Sequence, residues 1–446
     1  MLPADATGFQ SKFSKMLEKI WAQISQGAFI IFSLNESVNR LGRNSNKEGV
    51  IQLVSYTTEM NTTTVEELLK GAKRVGELAE KEAHEAEINA TISQNVIDLL
   101  KETQITRVLL PKEYGGPQID LKTFSKIVRT VSQYNISAGW LTYLYPLHNI
   151  IPAYLPKETR DEIINSEGLI CDVFAAVGKA EKVEGGYIVS GTWNFASGVN
   201  YSEWIGLGVS AEVEGKEKPQ ICMPVFHRSQ VEIVENWDTF GLRGSGSNQV
   251  KVDNVFVPAN RVLRLDLVDE TSRPPEEEYD KDYPFYHIPF YATFYLGFPS
   301  IALGGAERIL KEFKKQTEQR VRLTDGVRES ESPRSQRVLA EMTTDFHAAD
   351  ALMDKYLNLL EEYRQTGAEA LRSEFFAIRA RIIKICTDIA VRSLLTLGGG
   401  ALYKGGTIEL FIRDILSVAT HKTSLYEDSV AAYGQELFGF QSLVRG

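Results

Sequence analysis

The centre of the chain carries two strand-like segments and a glycine-rich stretch, set between two long regions of helical pattern. In Gly185–Trp204, Tyr187 and Val189 alternate with their neighbours as in a strand, and a short run of aromatic, small and hydroxyl residues follows. Further along, Phe240–Asn248 is rich in glycine, and Val250–Pro258 is a strand pattern that ends at a proline. This order predicts a helical N-terminal domain, a β-barrel-like middle domain and a C-terminal helical bundle.

Composition excludes several classes of protein. The 446 residues are 43% hydrophobic and 24% charged, which is typical of a soluble globular chain of two or three domains. The net charge of −10 argues against a general nucleic-acid surface. The three cysteines are far apart with no CxxC spacing, and the six histidines form no HxxxH or HExxH pair. We therefore expect reduced thiols in a cytoplasmic protein, no metal site and no partnership with nucleic acid.

Four segments follow from the patterns: an extension at 1–59, a helical domain at 60–166, a β domain at 167–285 and a helical bundle at 286–446. Ile20–Leu34 is too short and too polar for a membrane span, and no cleavage site of a signal peptide follows it. Two alternatives stay open for residues 1–59: they are a peripheral extension, or the true start of the protein is Met60. Thr63 or Thr64, with Glu three residues on, indicates a helix start. The helical tracts include Leu121–Leu144 and Ile408–Leu437, and residues 263–285 are expected to form a charged surface loop.

Five motifs, taken in this order and spacing, resemble the acyl-CoA dehydrogenase superfamily. They are Leu110–Gly116, Gly186–Gly198, Gly241–Ser247, Val255–Pro258 and Arg413–Ile415 with His421. The chain is most similar to the oxygenase components of two-component flavin-dependent monooxygenases, such as p-hydroxyphenylacetate hydroxylase and dibenzothiophene monooxygenase. The resemblance runs from about Met60 to the end and implies an α+β multidomain fold, in which a middle β-barrel domain lies between a helical domain and a C-terminal four-helix bundle.

The resemblance also implies the reaction. Such an enzyme uses reduced FMN or FAD and O2 to hydroxylate or oxidise a small phenolic, nitrogen- or sulfur-containing substrate through a C4a-hydroperoxyflavin. A separate flavin reductase supplies the reduced flavin, and no GxGxxG fingerprint follows a strand in this chain. The family forms homotetramers or dimers through the bundle. The substrate, the choice between FMN and FAD, and the identity of the reductase stay open.

Three departures separate the chain from an acyl-CoA dehydrogenase. The first strand of the middle domain runs through Gly178 into the next without the acidic loop that helps hold flavin and thioester. The late catalytic glutamate is replaced by His421-Lys-Thr423, and Phe290–Ala306 contains no acid. Removal of a substrate α-proton needs a positioned base, usually a carboxylate. An acyl-CoA dehydrogenase-like FAD oxidoreductase with an unusual base is the alternative, and a non-catalytic scaffold is the third reading.

The resemblance assigns three candidate catalytic residues, and each has a plain structural alternative. His421 is expected near the flavin ring, where a neutral imidazole can take or give a proton. His148 is expected to face the substrate, and Ser197 to hydrogen-bond near flavin N5. The alternatives are a surface or core histidine at each histidine position and a serine that caps a turn before Gly198.

Cofactor contacts are expected from further residues of the same motifs. Trp193 and Phe195 are expected to form an apolar wall against the flavin, with plain barrel core as the alternative. Ala196 is a second candidate for the position that faces N5. Arg243 is expected at the flavin or its phosphate, with a structural ion pair as the alternative. Arg322 occupies the place where superfamily members reach a neighbouring subunit's flavin.

Overall fold

The protein is described here by a computed structural model that covers residues 48–213, 215–274, 279–322, 326–367 and 371–440. By its internal contacts the chain divides into two units, Met1–Val65 and Glu66–Gly446. Residues 1–47 of the expected N-terminal extension lie outside the described residues.

Among the described residues, six α-helices precede the sheet. They are α1 (Glu48–Lys81), α2 (Ala83–Asn89), α3 (Gln94–Glu102), α4 (Leu121–Ser132), α5 (Ile136–Asn149) and α6 (Lys157–Asn165). The helix start expected at Thr63 or Thr64 is wrong, because α1 runs through both positions and threonine lowers helix propensity only slightly. The expected single tract Leu121–Leu144 is two helices, since the Asn135 side chain accepts the Ala138 N–H at 2.9 Å and starts α5 afresh.

Seven strands of the part of the chain that the structure describes form one sheet. They are β1 (Leu169–Val183), β2 (Gly186–Ala196), β3 (Ser202–Ala211), β4 (Gln220–His227), β5 (Glu232–Val234), β6 (Asn248–Pro258) and β7 (Val262–Arg264). Their order across the sheet is β5-β6-β2-β1-β3-β4-β7, with β1 and β3 parallel and the other pairs antiparallel. β4 and β6 contact each other although three strands separate them, so the sheet curves around its apolar core as an open barrel.

The first strand bears on the comparison with dehydrogenases. β1 continues for 15 residues from Leu169 to Val183 and turns directly into β2, with a register shift against β3 between Val173 and Gly178. The expectation that no acidic loop interrupts this strand is therefore confirmed. All three cysteines are buried and free, which agrees with the expected reduced thiols.

Seven α-helices follow the sheet within the described ranges. They are α7 (Leu265–Thr271), α8 (Phe290–Phe294), α9 (Gly297–Gln319), α10 (Pro333–Thr366), α11 (Arg372–Leu397), α12 (Thr407–Ala419) and α13 (Tyr426–Leu437). The bundle is built around α11, which contacts α9, α10, α12 and α13. Among the described residues, Arg372–Leu402 is long and apolar enough, by length and composition, to cross a membrane. This segment consists of the central helix α11 and the turn after it.

Two expectations about this region are wrong. Residues 263–285 are not a plain surface loop, because they include α7 and, near their end, Tyr283, which is fully buried. The tract Ile408–Leu437 is two helices, α12 and α13, separated by a short turn at Lys422–Ser424. Threonine and serine compete for the backbone hydrogen bonds of a helix, and this segment is rich in both. The break leaves His421 at the end of α12.

Candidate active site

Helix α5 positions two of the side chains at the site. All 14 of its residues are buried, so the helix lies inside the protein rather than on its surface. Trp140 and His148 are eight residues apart on one face, which separates them by about 12 Å along the helix axis. Gly297, at the start of α9, allows the close approach of the two helices, since a Cβ there would lie 1.9 Å from Cδ2 of Tyr143.

Ser197 is part of a buried hydrogen-bond chain at the end of β2. The indole N–H of Trp140 donates to Ser197 Oγ at 3.0 Å. Ser197 Oγ lies 2.7 Å from Ser247 Oγ, which lies 2.7 Å from Ser245 Oγ. The chain joins α5, the end of β2 and the glycine-rich loop, so Ser197 fixes their relative positions. Its predicted hydrogen bond near flavin N5 stays a prediction.

His421 lies against the aromatic side chains of α5 and α9. Its ring stacks on Phe298 with centroids 4.5 Å apart, and lies 6.1 Å from the ring of Trp140. Burial, with the positive charge of Arg379, lowers the pKa of His421 to about 4. The imidazole is therefore neutral at pH 7 and can accept or donate a proton. Through Trp140 the structure brings His421 and Ser197, two of the predicted catalytic residues, to one place.

His148 lies at the other end of α5, against β1. Its Nδ1 is 3.3 Å from the Ile170 carbonyl oxygen, and its Nε2 is 3.3 Å from Oδ2 of Asp172. The ring stacks on Phe294 with centroids 6.0 Å apart. Burial lowers the pKa of His148 to about 3 and raises that of Asp172 well above its usual value. The motifs did not identify Asp172 as a site residue. The sequence feature that could have pointed to it is a single acidic residue inside an apolar strand.

The glycine-rich loop is held by the Arg-Asp pair of α12. Asp414 Oδ1 accepts the backbone N–H of Leu242 at 2.7 Å, and Nη1 of Arg413 donates to the Phe240 carbonyl at 2.8 Å. Arg243 donates from Nε to the Glu87 carbonyl at 2.7 Å and from Nη1 to the Asp238 carboxylate at 2.5 Å. These contacts are the structural ion pair that was the alternative for Arg243, and its predicted contact with the flavin or its phosphate stays a prediction.

The aromatic residues of β2 separate into two environments. Trp193 has no exposed surface, and its indole N–H donates to the Gly208 carbonyl at 2.8 Å inside the barrel core. Trp193 therefore packs as the barrel-core alternative expects, and its predicted contact with the flavin stays a prediction. Ala196 is also fully buried, and its predicted place facing flavin N5 stays a prediction. Phe195 is 68% exposed and packs edge-on against Trp237 at 6.0 Å.

Arg322 lies away from these residues, in the turn after α9. Its backbone N–H donates to the Val327 carbonyl at 2.9 Å, and its carbonyl accepts the Gly326 N–H at 2.9 Å. The predicted contact with a neighbouring subunit's flavin stays a prediction.

Two aromatic side chains beside the glycine-rich loop are exposed. Phe195 and Phe240 expose 68% and 62% of their surface. Trp237 packs edge-on against Phe195 and donates its indole N–H to the Leu242 carbonyl of the loop. Phe195 also has a positive φ of 68°, a conformation that strains a bulky residue and is found in turns as well as at functional sites. Exposed aromatic faces of this kind can stack on a planar ring such as an isoalloxazine.

Comparison with known proteins shows which proteins this chain is similar to. Residues 296–424 match the family described as acyl-CoA dehydrogenase, C-terminal domain. The oxygenase component of p-hydroxyphenylacetate 3-hydroxylase from Acinetobacter baumannii is 28% identical over 370 residues, 81% of this chain and 86% of that protein. The flavin-dependent monooxygenase oxygenase subunit HsaA from Rhodococcus jostii (strain RHA1) is 27% identical over 80% of this chain and 94% of that protein. The solved structure of XiaF from Streptomyces sp., in complex with FADH2 and glycerol, has a TM-score of 0.79 at 20% identity, over 89% of this chain and 100% of that one.

The chain is similar to the acyl-CoA dehydrogenase family in residues 296–424, and to oxygenase components of flavin-dependent monooxygenases over about four fifths of its length. The recognition made from the motifs and the predicted fold class are both confirmed, and so is the enzyme class, an oxidoreductase of the flavin-dependent monooxygenase type. The resemblance places a late catalytic acid of the dehydrogenases at the position of His421. His421 presents a neutral imidazole there.

Proposed function

We propose that this protein is the oxygenase component of a two-component flavin-dependent monooxygenase, which oxidises a small phenolic, nitrogen- or sulfur-containing molecule with O2. The observation that carries the proposal is the group formed by His421, Phe298, Trp140 and Ser197, in which a neutral imidazole lies on an aromatic wall. Two relatives that are 28% and 27% identical to this chain are named as an oxygenase component of a hydroxylase and an oxygenase subunit of a flavin-dependent monooxygenase. Reduced flavin, when bound, supplies the activation of oxygen, and the protein supplies position and electrostatics.

The residues of the site have separable tasks under this proposal. Trp140 and Phe298 exclude water from the reacting region, because their rings pack 5.2 Å apart on one side of His421. His421 holds or releases a proton beside the flavin, since its pKa of about 4 keeps it uncharged at neutral pH. Ser197 anchors the end of β2 through its bond with Trp140 and is proposed to reach flavin N5.

Several finer features belong to the same proposal. The cofactor is reduced FMN or FAD, delivered by a separate flavin reductase, and the enzyme works in the cytoplasm as a homotetramer or dimer. The domains are the helical domain at 60–166, the β domain at 167–285 and the bundle at 286–446, after a peripheral extension at 1–59. XiaF, which was solved with FADH2, supports a reduced flavin through its shared fold.

Anaerobic stopped-flow spectroscopy tests the proposal. Protein with pre-reduced FMN, and in parallel with pre-reduced FAD, is mixed with oxygenated buffer, and we expect a transient absorbance before the oxidised flavin spectrum appears. His421→Ala should slow a proton-dependent step by about a hundredfold. His84→Ala is the matched control, because His84 is exposed on α2 and should leave the traces unchanged.

Two outcomes contradict the proposal. One is reoxidation at the rate of free flavin with both FMN and FAD. The other is turnover of acyl-CoA substrates with an artificial electron acceptor, which would favour the dehydrogenase alternative.

A further inference from the structure

Helix α11 carries a positive charge into the interior of the bundle. Arg379 is 1% exposed, and burial lowers the pKa of its guanidinium from the ordinary value. An arginine nevertheless keeps its proton in a folded protein, because its ordinary pKa is so high. A charge in the interior is costly unless the groups around it compensate for the lost hydration. Arg379 is therefore a residue whose surroundings can reveal a function.

Aromatic rings surround the guanidinium of Arg379. Its central carbon lies 4.9 Å from the ring centroid of Tyr295 and 4.8 Å from that of Phe376. The guanidinium also donates a hydrogen bond to the hydroxyl oxygen of Tyr356 on α10. A ring face attracts a cation through its quadrupole and carries no net charge that would cancel the field. A charge held in such low-dielectric surroundings acts over a longer distance than it would in water.

A column of stacked rings leads from Arg379 to His421. Tyr295 stacks on Phe298 with centroids 6.0 Å apart, and Phe298 stacks on His421 with centroids 4.5 Å apart. Tyr143 of α5 packs edge-on against Phe298 at 5.3 Å and closes one side of the column. Helix α11 also contacts the turn Lys422–Ser424, which follows His421 directly. The guanidinium and the imidazole therefore belong to one packed group with aromatic rings between them.

The charge of Arg379 acts on the protonation of His421. A positive charge in the same interior disfavours the imidazolium form. Burial is the larger cause of the low pKa of His421, which is about 4, and the charge of Arg379 is the second. Among the other titratable side chains on the elements around His421, Lys422, Glu427 and Asp428 are exposed, Tyr143 is uncharged, and Asp414 and Glu307 lie about two helical turns or more from the contact.

We propose that Arg379 is a positioning residue of the active site, which acts through His421 and keeps its imidazole uncharged beside the bound flavin. This role rests on the proposed function for the presence of the flavin and for the use of the His421 proton. It goes beyond that function because it assigns a task to α11, which none of the five sequence motifs includes.

Titration of the His421 ring in the full-length protein, without flavin, tests this role. The histidine rings are labelled with carbon-13 for NMR, and the His421 signal is assigned by its loss in His421→Gln. A unit charge roughly 10 Å away, at an effective dielectric constant of about 20, shifts a titration midpoint by about one pH unit. At pH 5 we expect about a tenth of His421 to be protonated in the parent protein and about half in Arg379→Met.

Further variants separate the charge of Arg379 from its packing. Arg379→Lys has a stem similar in length to that of Arg379→Met, and even a desolvated lysine is mostly charged at pH 5, so its midpoint should stay near that of the parent. Arg379→Gln is a second neutral variant, which keeps a hydrogen-bonding group for Tyr356 and should behave like Arg379→Met. Exchange of a buried charge for a side chain of similar volume is often neutral for stability, so folded protein is expected.

The matched control is Arg381→Met, two residues further along α11. Arg381 is exposed, so water and salt screen its charge and the midpoint of His421 should not change. The oxygen reaction gives a second measurement. The low-pH limit of the proton-dependent step should move up by about one pH unit in Arg379→Met and Arg379→Gln, and should stay in place in Arg379→Lys and Arg381→Met.

An unchanged His421 midpoint in both neutral variants, or an equal rise in Arg379→Lys or Arg381→Met, would overturn the role of Arg379. The ring titration needs neither flavin nor oxygen. An unchanged midpoint beside a normal oxygen reaction therefore rejects the role of Arg379 alone, whereas the expected midpoints beside reoxidation at the rate of free flavin reject the proposed function.

Discussion

The bond between Trp140 and Ser197 gives a prediction whose size follows from the structure. Ser197→Ala removes the acceptor of a buried indole N–H, and the donor left without a partner costs about 1–3 kcal/mol. Ser247 keeps its second partner, Ser245, so the loss falls mainly on Trp140. Trp140→Phe removes the donor together with part of the ring, and adds a separate loss of packing against Phe298.

The double variant separates the cost of the unpaired indole N–H from the loss of ring packing. In Ser197→Ala with Trp140→Phe no N–H is left unpaired, so the total destabilisation should be about 1–3 kcal/mol smaller than the sum of the two single effects. Equilibrium unfolding in urea measures the free energy of unfolding for all four proteins. Independent sites add to within about 0.5 kcal/mol, so a coupling of this size is resolvable.

The chain provides a matched control in a second tryptophan–serine pair. The indole N–H of Trp204 donates to Ser166 Oγ, also at 3.0 Å, but Ser166 is exposed. Water can replace the serine there, so Ser166→Ala with Trp204→Phe should show a coupling well below that of the buried pair. A coupling near zero at Trp140, or one equal to the control, would refute the role of Ser197 as an anchor of the site.

Three further predictions concern stability. The pKa of His421 is about 4 in the native protein and 6.5 in the unfolded chain, so the unfolded state binds the proton first as the pH falls. The free energy of unfolding should therefore decrease between pH 6.5 and pH 4. His421→Gln should remove this contribution, which unfolding curves measured at several pH values can show. Asp414→Ala should cost about 1–3 kcal/mol and hasten proteolysis of the glycine-rich loop, because the Leu242 N–H loses its acceptor, whereas Asp414→Asn should be milder. Gly178→Ala should lower the melting temperature clearly, because its Cβ would lie 2.1 Å from an indole carbon of the barrel core, while Gly399→Ala, with open space around it, should not.

Periodicity predicted the order of helices and strands, but it did not predict the breaks within two of the expected helical tracts. The tract from Ile408 to Leu437 is amphipathic throughout, so its pattern alone does not reveal the turn at Lys422–Ser424. That turn is set by packing, since His421 at its edge stacks on Phe298 from a helix more than a hundred residues earlier. A motif can therefore point to His421 as a candidate residue, but it does not give the position of the ring, which depends on contact with a residue distant in sequence.

Trp193 and Phe195 show why regular strand alternation does not give the positions of the two aromatic residues in β2. The two residues are separated by one position, so regular alternation would put them on the same face of β2. The register of β2 against β6 shifts between Trp193 and Ala196, and Phe195 takes a positive φ of 68°. The irregularity turns Phe195 outwards while Trp193 stays in the core. Sequence patterns identify both as aromatic strand residues and do not contain the shift.

Asp172 marks the point at which sequence and structure must be combined. The strand Leu169–Val173 is buried along its whole length, because the barrel core covers one face and the helices cover the other. Hydrophobicity therefore gives no alternation that would assign Asp172 to either face, and a single acid in such a run signals only that some partner exists. The partner is chosen by α5, which brings His148 within 3.3 Å, and by α8, which closes the region with Phe294. Since His148 offers a lone pair rather than a donor, the proton between the two groups is the carboxyl's own, which agrees with the raised pKa of Asp172.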